Sequence, residues 1–183
     1  DAQPAETVAP GDSTTFSITY SAPANVGGDN QVTVEITNDD TTVMQPYDFN
    51  LFGATEDPPT FSKSYGTSPI AVAGQLPVPY PINNNSNFNV TNGAFVDTLP
   101  PGLQVAAMPN VIPSSCSAGT VTAVAGSQTI SWSGGGVTDG FTCTIEVDVI
   151  ATVAGTYTST TGDLTGGLPG AVGSFTVPGA TAT

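Results

Sequence analysis

The sequence has no histidine, no arginine and a single lysine, Lys63, in 183 residues. Without histidine, Ser-His-Asp and Cys-His nucleophilic centres have no base, and imidazole metal sites are excluded with them. Without clustered Lys and Arg the chain cannot neutralise phosphates, which removes nucleic acid as a partner and removes electrostatic attachment to anionic membranes. Charge of either sign is scarce, at 9% of residues, yet fifteen Asp and Glu leave a formal net charge of −14. No apolar run approaches the ~18 residues a membrane-spanning helix needs, so no membrane insertion is expected.

What the chain does have is 21 Gly, 16 Pro and many Ser and Thr, set around apolar residues at 38%. That composition suits a disordered acidic chain, but the apolar residues recur in strict alternation, which a random coil has no reason to keep. Phe16, Ile18 and Tyr20 share one face of an extended run, and so do Val32, Val34 and Ile36. Tyr47 to Gly53 forms a third strand, with Ala9-Pro10-Gly11-Asp12 and Gly27-Gly28-Asp29-Asn30 as turns between them.

Pro58-Pro59 is a stiff spacer, and the domain division is read as 1–56, a linker at 57–60, and 61–183. Just past the spacer, Phe61, Lys63 and Tyr65 share one strand face. A short strand is expected between Ser68-Pro69 and Ala73-Gly74. Then Leu76, Val78, Tyr80 and Ile82 alternate with Pro77, Pro79 and Pro81. Proline cannot donate to a ladder, so this is an edge strand whose prolines face away from any partner, or a polyproline-like run.

Further strands are expected at 95–99, 103–105, 119–124, 129–133, 143–151 and 155–159, with Gly134-Gly135-Gly136 as a turn. Ile145, Val147 and Val149 point inward, and Glu146 and Asp148 outward. Short strands at this spacing with no helical period predict an all-β fold of two antiparallel sandwich modules, the N-terminal one incomplete. The pair Cys116 and Cys143 reads as one disulfide in an oxidising compartment, the alternative being two buried thiols.

Two resemblances sharpen this. The residues Val8-Ala9-Pro10-Gly11-Asp12, Ile36-Thr37-Asn38-Asp39-Asp40 and Pro46-Tyr47-Asp48-Phe49 with Gly53 resemble the C-terminal half of HYDIN and abnormal-spindle immunoglobulin-like domains. About half a domain normally precedes this point in that family, and a module of some 55 residues would bury only ~60% of its unfolded surface. Either the chain is cut there or the missing strands come from another chain. The second module resembles the "conserved repeat domain" of large bacterial surface proteins. The matching residues are Phe61-Ser62-Lys63-Ser64, Val96-Asp97-Thr98-Leu99-Pro100-Pro101-Gly102-Leu103, Ile130-Ser131-Trp132-Ser133-Gly134-Gly135, Cys143-Thr144-Ile145-Glu146-Val147 and Gly155-Thr156-Tyr157-Thr158. In such repeats Ser or Thr is usual where Pro77, Pro79 and Pro81 stand, and Asn is common where Ser159 stands.

The resemblance implies immunoglobulin-like sandwiches in a secreted, mechanically structural, non-enzymatic protein of the bacterial surface. Copies of the chain would join head to tail into a filament, with the segment bearing Val172, Phe175 and Val177 as the candidate strand donor. The alternative is an adhesin module whose loops bind a glycan or a protein, which an exposed aromatic cluster near Trp132 or Tyr80 would favour and a buried Trp132 would oppose. Surface immunoglobulin-like domains can also join a buried strand lysine to an Asn or Asp, with a protonated carboxyl nearby. Lys63 would be the amine, Asp148 or Asp163 the acceptor, and a plain ion pair with Asp97 the simpler alternative.

Other chemistry has weaker signals. Glu146 and Asp148 share a face and could serve as a carboxylate pair, or as a solvated outer face. No cofactor is expected, with calcium at Asn38-Asp39-Asp40 or Asp29-Asn30 as the exception to look for. Asn84-Asn85-Ser86 and Asn89-Val90-Thr91 fit the N-glycosylation pattern.

Overall fold

The computed structural model describes residues 9, 13–19, 28–36, 47–55, 57–66, 71–168 and 173–183. The chain divides into two units, residues 1–55 and 56–183, and the described residues are all-β, in antiparallel sheets. In the first unit β1 (Gly28–Ile36) pairs with β2 (Tyr47–Thr55) along nine registered positions. Residues 13–19, expected as a strand, form none: Phe16 and Ile18 are exposed. Asn38-Asp39-Asp40 lies outside the described residues, as do the side chains of Asp29 and Asn30.

The second unit holds twelve strands among its described residues. One sheet runs β3 (Thr60–Phe61), β4 (Gln75–Asn83), β10 (Thr142–Ala151), β6 (Leu103–Val105), with β7 (Ile112–Ser114) also on β10. The other runs β13 (Gly173–Val177), β12 (Leu164–Leu168), β5 (Val90–Thr98), β9 (Thr129–Val137), β8 (Thr120–Ala123). A small third ladder joins β11 (Ser159–Thr160) to β14 (Thr181–Ala182). The stretch read as a linker belongs to this unit: Pro59 is buried and Thr60 opens β3.

The core follows from period-two patterning. On β4 and β10 the facing pairs are Leu76 with Val149, Val78 with Val147, Tyr80 with Ile145 and Ile82 with Cys143, all inward and buried. Phe95, Ile130, Trp132 and Leu164 supply the inner face of the other sheet. The prolines of β4 lie at the positions that face β3 rather than β10, where Pro81 offers its carbonyl to the Ser62 amide. Past Ser62 the β4 edge therefore shows prolines instead of free N–H groups, which blunts it against pairing with another chain. Cys116, on the β7–β8 connection, is bonded to Cys143 of β10. This closes a loop worth roughly 3 kcal/mol against unfolding.

Three expectations change. Residues 71–74 form a turn closed by the Gly74 amide on the Ala71 carbonyl, not the end of a strand. At 155–159 the only strand residue is Ser159; Tyr157 instead packs over Gly102, whose φ is +98°. Gly134-Gly135-Gly136 continues β9 rather than turning it. The cause is Trp132, whose indole lies flat along its own sheet: a Cβ on Gly135 would sit 1.8 Å from its ring, and one on Gly93 of β5 2.7 Å. The β5–β9 register shifts beside this contact, between Gly93 and Phe95. Gly135→Ala should therefore destabilise the unit by about 1–3 kcal/mol through overpacking. Urea unfolding followed by the single Trp checks this, and a loss no larger than that of an exposed strand Gly→Ala control would refute it.

Candidate functional site

The one lysine sits in the core. Alternation beyond β3 leaves Ser62 and Ser64 exposed while Phe61, Lys63 and Tyr65 turn inward. On β5 the same alternation that buries Phe95 buries Asp97. Lys63 Nζ lies 2.6 Å from Asp97 Oδ2, and both side chains have no exposed surface. Tyr80 donates its hydroxyl to the same Oδ2 at 2.7 Å, leaving Oδ1 buried without a hydrogen-bond partner. Lys63 also donates to Ser159 Oγ on β11, which lies 2.6 Å from the Tyr65 hydroxyl. The rings of Tyr65 and Tyr80 stand 5.1 and 5.8 Å from the ammonium.

Four side chains, Tyr65 beyond β3, Tyr80 of β4, Asp97 of β5 and Ser159 of β11, thus surround one amine. Burial pushes the Lys63 pKa down from its ordinary 10.5, with the hydrogen bond to Asp97 and its charge pulling the other way. Burial likewise pushes both tyrosines up, Tyr80 furthest, because the Asp97 charge beside it adds to desolvation.

The signs give a test in alkali. An unfolded chain loses tyrosine protons near pH 10.0 while the folded unit still holds them, so stability falls as pH rises past that point. Lys63 acts oppositely: its folded value lies below 10.5, so its contribution rises with pH up to that value and is flat beyond it. Urea midpoints measured from about pH 8 to 11 should hold or rise and then drop. Tyr80→Phe should remove most of the drop, and an unchanged drop would mean that Tyr80 is not its source.

Of the expected site residues, Lys63 and Asp97 come together, and so do Cys116 and Cys143. The other acceptors considered for Lys63 are engaged elsewhere: Asp148 Oδ2 accepts from Asn110 at 2.6 Å on the outer face, and Asp163 accepts from the Gly179 amide. Phe175 and Val177 pack half-buried on their own module's core in β13, paired with β12, while Val172 lies outside the described residues. Asn84 is wholly buried and donates its amide to Phe88 and Val137 carbonyls, so it offers no nitrogen to a glycan, whereas Asn89 is exposed. Trp132 and Tyr80, whose exposure would have marked a binding face, are 1% and 0% exposed. Glu146 and Asp148 stand on the outer face beside Pro79 and Pro77. Among the described residues no group of three or more Cys, Asp or Glu could hold a metal ion.

Sequence reasoning missed Ser159, Tyr65 and Tyr80 as partners of the lysine. The signals were present: Ser159 departs from the residue common at that place, and Tyr80 is the only polar member of the inward β4 row.

A family model described as "Domain of unknown function (DUF7933)" matches residues 59–175. The chain belongs to this family. The match begins at Pro59, ahead of β3, and takes in Lys63, Asp97, Ser159 and both cysteines. No curated protein matches the chain. Among solved structures, the collagen-binding domain of a Staphylococcus aureus adhesin aligns at 14% identity and a TM-score of 0.44, over 67% of this chain and 93% of that one. The collagen-binding domain of the Erysipelothrix rhusiopathiae surface protein RspB aligns at 12% and 0.42, over 85% and 59%. A GH20 exo-β-N-acetylglucosaminidase from Vibrio harveyi aligns at 9% and 0.35, over 68% of this chain and 18% of that one. Likenesses this loose carry no conclusion about what the chain binds or does.

Proposed function

We propose that the DUF7933 unit is a structural spacer of an extracellular bacterial surface protein, a stalk or filament module with no catalytic role. The observation that carries the reading is where the reactive side chains are spent. The only lysine and both cysteines lie in contacts that hold the second unit together, and the only tryptophan is buried against its own sheet. A disulfide with no metal-binding or redox motif around it fits an oxidising exterior. Rigid tandem sandwiches are what a stalk requires, and head-to-tail joining would extend them into a fibre.

Strand donation is the finer part of this proposal. A two-stranded ribbon such as β1–β2, with Val32 54% exposed, is marginal by itself and would gain from a further strand. Because Phe175 and Val177 are committed to their own sheet, the donor in this scheme comes from a different segment. An adhesin role through exposed rings loses its support with Trp132 and Tyr80 buried.

Immunogold electron microscopy of the source cells, with antibody raised to the purified chain, tests the reading. Label along surface fibres or at the cell periphery is expected, together with cysteines that resist alkylation until reduced. Label confined to the cell interior would overturn it.

A further inference from the structure

The chain contains one Asp-Pro bond, Asp57–Pro58, and no other acidic residue is followed by proline. The bond lies just past the division of the chain into units at residues 55 and 56, and the family match begins at the next residue, Pro59. Exposure falls step by step across it. Asp57 is exposed, Pro58 half-buried and Pro59 buried, and Thr60 then opens β3. A proline nitrogen is a tertiary amide with no N–H, and it takes up a proton and leaves more readily than an ordinary peptide nitrogen. An aspartate on its acyl side holds a carboxylate within reach of the same carbonyl carbon, so the reacting groups meet without being brought together from solution.

We propose that Asp57–Pro58 is a self-cleavage site, at which the folded chain divides between its two units in mild acid. A carboxylate oxygen of Asp57 bonds to the carbonyl carbon of its own residue and closes a five-membered anhydride. The bond from that carbon to the Pro58 nitrogen breaks, and the nitrogen takes a proton from the acidic solvent and departs as a secondary amine. Water then opens the anhydride and leaves two carboxyl groups on residue 57. The sum is hydrolysis of one peptide bond, with water and a proton as the only co-reactants. The position of the cut decides what it yields. β1 and β2 stay with one piece. The other begins at Pro58 and keeps buried Pro59, all of β3, Lys63 with its partners Asp97 and Ser159, and the disulfide. It is therefore released as a folded unit. The surface-stalk reading supplies a setting, a module shed where the surroundings turn acid, but the chemistry does not depend on it.

The test is intact mass of the full chain incubated across a pH series from about 7 down to about 3, the range that takes carboxyls through their titration. Two pieces are expected, 1–57 and 58–183, whose masses sum to the chain plus one water, with sequencing of the longer piece reading Pro58-Pro59-Thr60. Cleavage should rise as pH falls through ~4. Asp57→Asn keeps the size of an exposed side chain and removes the carboxylate, and it should slow the cut by about a hundredfold or more. At the lowest pH where circular dichroism still shows the fold, cleavage should be at least as fast as in urea at that pH, and the longer piece should keep the urea midpoint of the second unit. A chain that stays whole at every pH would overturn the proposal. So would a cut that Asp57→Asn leaves at its original rate, or one that appears only in urea, which would make the bond's lability a property of the unfolded chain. Immunogold label confined to the cell interior would leave each of these outcomes as it stands.

Discussion

Lys63→Met should cost the second unit about 3–5 kcal/mol of unfolding free energy, the usual loss when one partner of a buried ion pair is removed. The mutation leaves the Asp97 carboxylate with no exposed surface, one oxygen held only by Tyr80 and the other already bare. The double variant Lys63→Met/Asp97→Leu should recover most of that loss, because well-packed apolar replacements of a buried pair are neutral or stabilising. Urea unfolding of the single variant, the double variant and the parent, read by Trp132 fluorescence, completes the comparison. A single-variant loss below about 1 kcal/mol would show the pair to be energetically idle, as exposed pairs usually are.

Ser159→Asn should convert the cluster into a covalent cross-link. The γ-atom of residue 159 is the atom that Lys63 Nζ touches. In Asn the γ-atom is the carboxamide carbon, so the substitution places an electrophilic carbon beside an amine that burial biases toward its neutral, nucleophilic form. Nζ would bond to that carbon and ammonia would leave, with the side chain of Asp97, 2.6 Å from the amine, to take up its proton and return it to the leaving group. Intact mass after boiling in detergent should then be lower by one ammonia, and Lys63→Met/Ser159→Asn should keep its full mass. A full-mass Ser159→Asn chain that still folds would show that the contact does not place the reacting atoms for attack.

The fold was largely legible because alternation is a local signal. The inward rows of β4 and β10 could be read directly, as could the placing of the β4 prolines away from β10. The errors fell where a long-range contact overrules a local one. Three consecutive glycines suggest a turn until Trp132 needs a floor without Cβ atoms, and then they are strand. Residues 13–19 alternate well and still form no strand. At the site, the sequence leaves Asp97, Asp148 and Asp163 open as partners of Lys63, and strand alternation alone does not choose among them. Ser159 lies 96 positions from Lys63, and nothing local to either residue announces the meeting.

Burying the only lysine also hides the chain from the most familiar protease. Trypsin cuts after Lys and Arg, and this sequence offers it one bond, following a side chain with no exposed surface. The folded unit should survive tryptic digestion intact, and even the unfolded chain would yield only two long peptides. A proteinase of broad specificity is therefore the reagent for mapping it, and amine-directed labels will leave Lys63 unmarked until the core opens.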